Sequence, residues 1–280
     1  MTLIMQKSPG FSKGQRRISN YILENYDKAA FMTAGKLGKT VGVSESTVVR
    51  FAAELGYDGY PGMRKALQEM IRNRLTSVQR IEVAKELIDD KNVLEAVLSA
   101  DLDKLQATLD MASKDSFDSA VEPIMAANNI YIMGMRSSAC LANFMGYYMN
   151  LLMENVHEVR DTSISEVYEQ IIRLRDGDVF IGISYPRYSS RTVKAMELAK
   201  SAGAKVIGIT DGKSSPLADI SDICLYAKSD MVSFLDSLVA PLSLINALIV
   251  AIGMKCKDSL SDTFSRLEQI WSEYGVYERY

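Results

Sequence analysis

The stretch "DVFIGISYPRYSSRTVKAMELAKSAGAKVIGI", Asp178 to Ile209, decides the fold class of this 280-residue chain. It begins and ends with short apolar runs rich in β-branched residues, which predict two buried strands. A polar loop and then a helical pattern, over about residues 190–202, separate the two runs. Two strands joined by such a helix predict parallel pairing within a sheet that helices cover.

The same alternation of short apolar runs and helical patterns continues on both sides of this stretch. Five strands are predicted, at 129–133, 155–159, 178–183, 205–209 and 223–226. Further helices are predicted near 138–152, 164–173, 231–254 and 260–275. We therefore expect an α/β domain, a doubly wound αβα sandwich with a five-stranded parallel sheet.

The N-terminal part of the chain has a different pattern. Residues 11–74 have helical periodicity punctuated by glycines, and no alternating strand pattern occurs there. A second helical region follows to about residue 121, with Leu102, Leu105 and Leu109 at helical spacing. We expect three parts: an all-α head at 1–76, a helical linker at 77–120 and the α/β domain at 121–280.

Composition predicts a soluble globular protein, because 48% of the residues are hydrophobic and 24% are charged. No N-terminal signal segment is visible. The longest uncharged run, Ser237 to Met254, contains Pro241 and Asn246 and lacks a basic flank, so it predicts a buried helix rather than a membrane span. We expect a cytoplasmic protein without a membrane partner.

Cysteine and histidine are scarce and dispersed. The three cysteines, Cys140, Cys224 and Cys256, form no C-x-x-C pair, which argues against a disulfide framework or a zinc site. A His-based triad or metal site would have to use His157, the single histidine, and a lone histidine on a strand is more often structural. We expect no cofactor and no metal.

The charge is divided unevenly along the chain. Residues 1–80 hold 13 Lys and Arg against 6 Asp and Glu, a net of +7, whereas the other 200 residues carry a net of −10. A basic head on an acidic body favours a polyanionic partner for the head. Two domains can also differ in charge by chance, so the asymmetry gains meaning only beside a motif.

Such a motif lies at Thr33 to Gly56, "TAGKLGKTVGVSESTVVRFAAELG". A helix is predicted to end before the tight turn at Gly42, and Ser44 is placed to cap the next helix. Gly38 is small where the two helices must cross. Four residues at helical spacing are predicted to face the core: Val48, Phe51, Ala52 and Leu55. This is the arrangement of a helix-turn-helix, whose second helix enters the major groove of DNA.

The outward residues of the second helix suit contact with DNA. Arg50 can reach a guanine edge or a phosphate, and hydroxyl side chains can bond phosphates or bases. The predicted DNA-binding residues are Lys36, Ser44, Glu45, Ser46, Thr47, Val49, Arg50, Arg64 and Lys65, and Lys39 flanks them. The alternative is an ordinary helical hairpin with a solvated charged face.

These residues resemble the N-terminal helix-turn-helix of the RpiR family of bacterial regulators. The matching motifs are the turn Gly42-Val43-Ser44, the helix Thr47-Val48-Val49-Arg50-Phe51 and the segment Leu55-Gly56-Tyr57-Asp58-Gly59-Tyr60. The chain departs from the family at Gly38, where alanine is usual.

Two strand-to-helix loops of the predicted sheet are small and polar. The first is "GMRSSA", Gly134 to Ala139, and the second is "SYPRYSSRT", Ser184 to Thr192. Parallel sheets bind ligands beyond the carboxyl ends of their strands, and helix N-termini there favour anions. The two loops therefore predict an anion site, although a serine at such a position can also be a simple helix cap.

The second half of the chain resembles a SIS (sugar isomerase) domain, which implies binding of a phosphosugar. By that resemblance Ser137 or Ser138 is the first-loop serine, and Ser184, Ser189 and Thr192 match the second loop, Ser-x-Ser-Gly-x-Thr. The predicted effector-binding residues are Gly134, Arg136, Ser137, Ser138, Ser184, Arg187, Ser189, Ser190 and Thr192. The second loop has three extra residues and Ser190 in place of glycine, so the ligand can differ from a plain hexose phosphate.

Two functions from different classes fit these features. The first is a DNA-binding regulator that responds to a phosphorylated sugar or sugar acid, working as a homodimer or tetramer on palindromic double-stranded DNA. The second is an aldose–ketose isomerase, for which Glu154, His157 and Glu158 are the candidate acids and bases. A third, a protein-binding scaffold, would use the apolar helix at 231–254. The head and the missing acid–base pair favour the regulator.

Overall fold

The computed structural model describes residues 2–71, 76, 78–81, 92–160, 163–230 and 235–278. Backbone contacts divide the chain into two compact units. The first comprises residues 1–96 with 231–235, and the second comprises residues 97–230 with 236–280. The linker predicted at 77–120 begins among residues outside the described ranges.

The first unit is built from helices, as predicted. They are α1 (Thr2–Lys7), α2 (Lys13–Glu24), α3 (Tyr26–Ala29), α4 (Ala34–Val41), α5 (Glu45–Glu54) and α6 (Gly59–Ile71). Ser12 starts α2 through a capping box with Gln15, in which each side chain accepts the other's backbone N–H. One apolar cluster holds these helices together, and Ile18, Leu37 and Phe51 are fully buried within it.

The second unit alternates strands with helices, which confirms the predicted α/β class. Its first two helices are α7 (Val93–Met111), within which the two units divide, and α8 (Lys114–Ala126). The strands are β1 (Ile130–Gly134), β2 (Val156–Val159), β3 (Val179–Ile183), β4 (Lys205–Thr210) and β5 (Ile223–Tyr226). The remaining helices are α9 (Ser138–Leu152), α10 (Ile164–Ile171), α11 (Ser190–Ser201), α12 (Pro216–Ile220), α13 (Val239–Lys255) and α14 (Lys257–Glu273).

The five strands are parallel and lie in the order β2-β1-β3-β4-β5. Every residue of β1 and β3 is buried, because helices pack on both faces. The cluster on one face includes residues of α8, α9 and α13, and the cluster on the other includes residues of α10, α11 and α12. The chain winds outward in opposite directions from β1 and β3, so the topological switch point of the sheet lies between these two strands.

The predicted strands differ from the observed ones by no more than one residue at either end. The helix predicted over 231–254 was wrong at its start, because α13 begins at Val239 and residues 235–238 are not helical. The hydroxyl of Ser237 accepts from the N–H of Val239 at 3.3 Å and donates to Asp101 Oδ1 at 2.6 Å, which holds Ser237 outside the helix. Residues 231–234 lie outside the described ranges.

Among the described residues, no helix has the length and apolar character that crossing a membrane requires.

Candidate functional site

The first unit contains the predicted helix-turn-helix, formed by α4 and α5. Gly42 ends α4 with a left-handed φ of 70°, and the hydroxyl of Ser44 accepts from the N–H of Thr47 at 3.3 Å. A β-carbon at Gly38 would lie 2.9 Å from the carbonyl oxygen of Val43, so an alanine here would require the turn to shift. The predicted cap, turn and close crossing are all confirmed.

The predicted division of α5 into two faces is also confirmed. The buried face holds Val48, Phe51, Ala52 and Leu55. The exposed face holds Glu45, Ser46, Val49 and Arg50. The guanidinium Nε of Arg50 donates to the carbonyl of Ser46 at 3.3 Å, which lays the side chain back along the first turn of the helix. The carboxylate of Glu45 leans toward α4, since a β-carbon at Gly35 would lie 3.3 Å from its Oε2.

The other basic residues predicted to contact DNA lie beside this helix pair. Lys36 is exposed on α4, whereas Lys65 is exposed and Arg64 half-buried on α6. Tyr60, which the sequence analysis named only as part of the family motif, has a structural role here, because its buried hydroxyl donates to the carbonyl of Met32 at 2.9 Å. Burial raises the pKa of Tyr60 to about 12, against the opposing effect of Arg64. A tyrosine within a run of glycines was the available signal.

In the second unit the two predicted anion loops meet at the switch point. Gly134, the last residue of β1, pairs in register with Ile183, the last residue of β3. The loop after β1 leads into α9 and the loop after β3 leads into α11, so two helix N-termini converge. Between them lies a cavity of about 140 Å³, here named the serine cavity. Its lining includes Arg136, Ser137, Ser138, Ser184, Arg187 and Ser189.

The hydroxyls of this cavity are held by local hydrogen bonds. Ser184 is buried, and its Oγ accepts from the N–H of Ser189 at 3.0 Å. Ser189 in turn caps α11 by accepting from the N–H of Thr192 at 3.4 Å. Ser137 precedes α9 and makes no side-chain cap bond. Because a serine hydroxyl that accepts still carries a proton, these side chains can donate to an anion.

A second cavity, of about 350 Å³, adjoins the first and is here named the arginine cavity. Its lining includes Arg136, Arg187, Tyr188, Ser189, Ser190 and Arg191. Arg136 has a left-handed φ of 57°, which costs a non-glycine residue about 1–2 kcal/mol. Strain of this kind concentrates at ligand sites.

Two of the predicted effector residues line neither cavity. Gly134 is buried, and a β-carbon there would lie 2.3 Å from the carbonyl oxygen of Ser138, so this glycine allows α9 to start against β1. Thr192 is 0% exposed, and its hydroxyl has no hydrogen-bond partner among the described residues. The other seven predicted effector residues line at least one cavity.

The structure adds residues that sequence reasoning missed. Arg191 lines the arginine cavity, and Asp236 lines the serine cavity from a segment distant in sequence. Asp211 follows β4 directly, and its Oδ1 accepts from the hydroxyl of Tyr188 at 2.7 Å, which ties the extended loop to the neighbouring strand end. Tyr185, another residue of that loop, packs in the apolar core and also lines the serine cavity. The position of Asp211 at a strand end was a usable signal.

The residues considered for isomerase chemistry lie elsewhere. His157 and Glu158 line a separate cavity beside the edge strand β2, which shares no lining residue with the serine or arginine cavity. His157 stacks on Tyr131 with ring centroids 4.9 Å apart and lies 3.4 Å from Asn129 Oδ1. Glu154 is exposed and lines neither anion cavity.

The thiols and carboxylates of the described residues form no metal-binding group of three or more ligands. Cys140, Cys224 and Cys256 are free thiols. Burial raises the pKa of Cys224 to about 11, which keeps that thiol protonated and unreactive.

Comparisons with known proteins match two separate parts of the chain to two different domain families. The profile of the helix-turn-helix domain of the rpiR family matches residues 1–74, and the profile of the SIS domain matches residues 124–251. A helix-turn-helix-type transcriptional regulator of Caldanaerobacter subterraneus subsp. tengcongensis is 24% identical over 262 residues, covering 91% of this chain and 90% of the relative. The Escherichia coli regulator YfhH is 25% identical over 80% of this chain and 79% of its own length.

Solved structures show the same fold. The sugar isomerase domain of an RpiR transcription factor from Sphaerobacter thermophilus is 27% identical with a TM-score of 0.58, over 62% of this chain and 96% of that one. The Vibrio vulnificus NanR protein, solved in complex with ManNAc-6P, has a TM-score of 0.57 and 22% identity over 97% of both chains. With both of its matched domains in that order, the chain belongs to the RpiR family of helix-turn-helix transcriptional regulators that carry a SIS domain.

Proposed function

We propose that this regulator controls genes of sugar or related carbon metabolism, and that a phosphorylated sugar or related acid bound in the SIS domain changes its affinity for DNA. The observation that carries the proposal is the serine cavity, where the N-termini of α9 and α11 and four serine side chains converge. The positive ends of two helix dipoles and the hydroxyl donors suit a phosphate group. The full-length likeness to NanR, a protein solved with ManNAc-6P, supports a ligand of this chemical class.

The exposed face of α5 is the proposed DNA-reading surface, with Arg50 toward base edges and hydroxyls toward phosphates. The lysines and Arg64 beside it would neutralise backbone phosphates. Because its proposed partner is genomic DNA, we place the protein in the cytoplasm.

The chain is further proposed to act as a homodimer, or a pair of dimers, on a palindromic operator. Helix α7 supports this assembly because its polar side faces the protein: Lys104 is buried, and Thr108 Oγ1 accepts from the N–H of Lys228 at 2.9 Å. Its leucines face outward, with Leu98, Leu102 and Leu109 exposed by 55%, 66% and 70%. Leucines exposed side by side on one helix face are typical of an interface, and a symmetric pair of heads matches two half-sites.

The mechanism we propose is linkage between the two ligands. An effector that binds one dimer geometry more tightly shifts the population toward that geometry, and the spacing of the two heads changes with it. An isomerase function is disfavoured, because the candidate acid and base residues lie outside both anion cavities.

The test uses the full-length protein. Operator sequences are selected from sheared genomic DNA, and binding is followed by fluorescence anisotropy while a panel of sugar phosphates is added. We expect at least one phosphosugar to change the affinity for DNA, and Ser137→Ala to weaken that response without loss of DNA binding. The control Ser119→Ala changes an exposed serine on α8 and should leave the response intact. Turnover of a phosphosugar into its isomer, with no selected DNA, would contradict the proposal.

A further inference from the structure

The serine and arginine cavities differ sharply in the charges that line them. The lining of the serine cavity includes four serines and one acidic residue, Asp236, besides Arg136 and Arg187. The arginine cavity is lined by three arginines, since Arg191 joins the other two, and the described residues of its lining include no Asp or Glu. One phosphate can occupy only one of these two environments.

The sizes of the cavities also indicate a ligand that extends through both. The serine cavity, at about 140 Å³, is smaller than the roughly 300 Å³ at which pockets for whole small molecules begin. The arginine cavity adds about 350 Å³. The two share Met135, Arg136, Arg187 and Ser189 in their linings, so a ligand seated on the serines can continue directly between the arginines.

We infer that the effector carries a second acidic group besides its phosphate. The inference rests on the proposed function: the phosphate lies in the serine cavity, and a carboxylate or a second phosphate lies in the arginine cavity. Guanidinium groups bind both kinds of oxyanion in a bidentate fork, because their planar N–H donors match carboxylate and phosphate geometry. The N-terminus of the twelve-residue helix α11, at Ser190, adds positive potential to the same cavity.

Two features hold the arginine cavity ready for a ligand. The backbone of Arg136 stays in the left-handed region, which directs this arginine from the loop after β1 into the lining of both cavities. Tyr188 lines the arginine cavity while its hydroxyl donates to Asp211, which anchors the loop that carries Arg187. An anchored loop loses less conformational entropy when the ligand binds.

The test measures ligand affinity by calorimetry on the full-length protein, with matched compounds that differ in one group. Ribose 5-phosphate is compared with 5-phosphoribonate, and glucose 6-phosphate with 6-phosphogluconate, which adds a carboxylate. Fructose 6-phosphate is compared with fructose 1,6-bisphosphate, which adds a phosphate. We expect at least one doubly acidic compound to bind about tenfold more tightly than its singly acidic partner, the gain typical of a charge-assisted hydrogen bond.

The variant Arg191→Gln should reduce this preference to less than about twofold. The readout is a ratio of two affinities on one protein, so a variant that is partly unfolded lowers both values and leaves the ratio unchanged. The matched control, Arg173→Gln, changes an exposed arginine that lines neither cavity and should keep the full preference.

The outcomes separate the inference from the proposed function. If the two compounds of every matched pair bind equally well while a phosphosugar still changes the affinity for DNA, the inference of a second acidic group is wrong. The proposed function would still stand. A preference that persists unchanged in Arg191→Gln would overturn the role of the arginine cavity. If none of the six phosphorylated compounds binds or changes the affinity for DNA, the proposed function fails together with the inference.

Discussion

The two units of the protein use the same short sequence pattern for two different surfaces. Ser44 caps α5 by accepting from the N–H of Thr47, and Ser189 caps α11 by accepting from the N–H of Thr192. The two bonds measure 3.3 and 3.4 Å, and in each segment a threonine follows the serine by three residues. Each cap is accompanied by arginine, Arg50 in the first unit and two arginines in the second.

What differs is the surrounding structure. The first turn of α5 is exposed, so its side chains can meet only a partner that comes from outside, such as a DNA groove. The start of α11 and the loop after β1 both lie at the carboxyl ends of the strands. The cap residue Ser189 therefore lines cavities of small-molecule size. A serine cap thus defines where a helix begins. The neighbouring elements determine whether that helix start can bind DNA or a small anionic ligand.

The largest expected effect tests whether the cavity depends on close backbone packing. Gly134→Ala should lower the free energy of unfolding of the second unit by about 3 kcal/mol, because the new methyl group would overlap the carbonyl of Ser138 at the start of α9. Effector affinity should fall with it. Thermal or denaturant unfolding measures the first change and calorimetry the second.

Gly212→Ala is the matched control for that change. Gly212 follows β4 at the same edge of the sheet, and a β-carbon there would have no neighbour within 4 Å. We expect a change below about 0.5 kcal/mol. If both variants lost the same unfolding free energy and the same effector affinity, the close packing of α9 on β1 would not be what maintains the cavity.

The next effect tests the exposed helix. Arg50→Ala should weaken binding to the selected operator by about 2 kcal/mol, or about thirtyfold, if the guanidinium reads a base edge. Anisotropy at one fixed salt concentration measures the loss, and Lys28→Ala, an exposed lysine on α3, is the control. Effector affinity should stay the same. An equal loss in both variants would indicate that only general charge is needed.

Much of the fold could be predicted from the sequence because its signals are local. The apolar runs located all five strands, and the turn at Gly42 with the cap at Ser44 located the helix-turn-helix. The start of α13 was missed because a distant side chain, Asp101, holds Ser237 out of the helix.

The site was predicted less completely, because its geometry depends on which loops meet. Seven of nine proposed effector residues line a cavity, since small polar residues at strand ends mark the correct edge of the sheet. Gly134 and Thr192 are buried in the packing of the domain instead. No local sequence pattern distinguishes a residue that lines a cavity from one that is buried in this way. Asp236 reaches the cavity from about fifty residues away, a contact that only the tertiary fold creates.

A smaller effect tests how the first unit is held together. Tyr60→Phe should lower its stability by about 1.5 kcal/mol at neutral pH, because the buried carbonyl of Met32 loses its donor. The pKa of Tyr60 is raised to about 12 in the folded state, so the stabilisation is complete below pH 10 and is lost as the pH rises from 10 to 12. The stability difference between wild type and variant should therefore shrink over that range. Denaturant titrations at pH 8, 10 and 11 measure it, and a constant difference would contradict the role of the hydroxyl.

The smallest effect returns to the two caps. Ser44→Ala and Ser189→Ala should each cost about 1 kcal/mol of stability, because each removes a hydroxyl that accepts from an N–H at a helix start. Ser113→Ala is a matched control, since Ser113 caps α8 by accepting from Ser116 at 3.2 Å and lies at neither proposed site. All three variants should lose similar stability in denaturant titrations. Only Ser44→Ala should weaken DNA binding and only Ser189→Ala should weaken effector binding, so a loss of either function in Ser113→Ala would show that cap stability alone explains the effects.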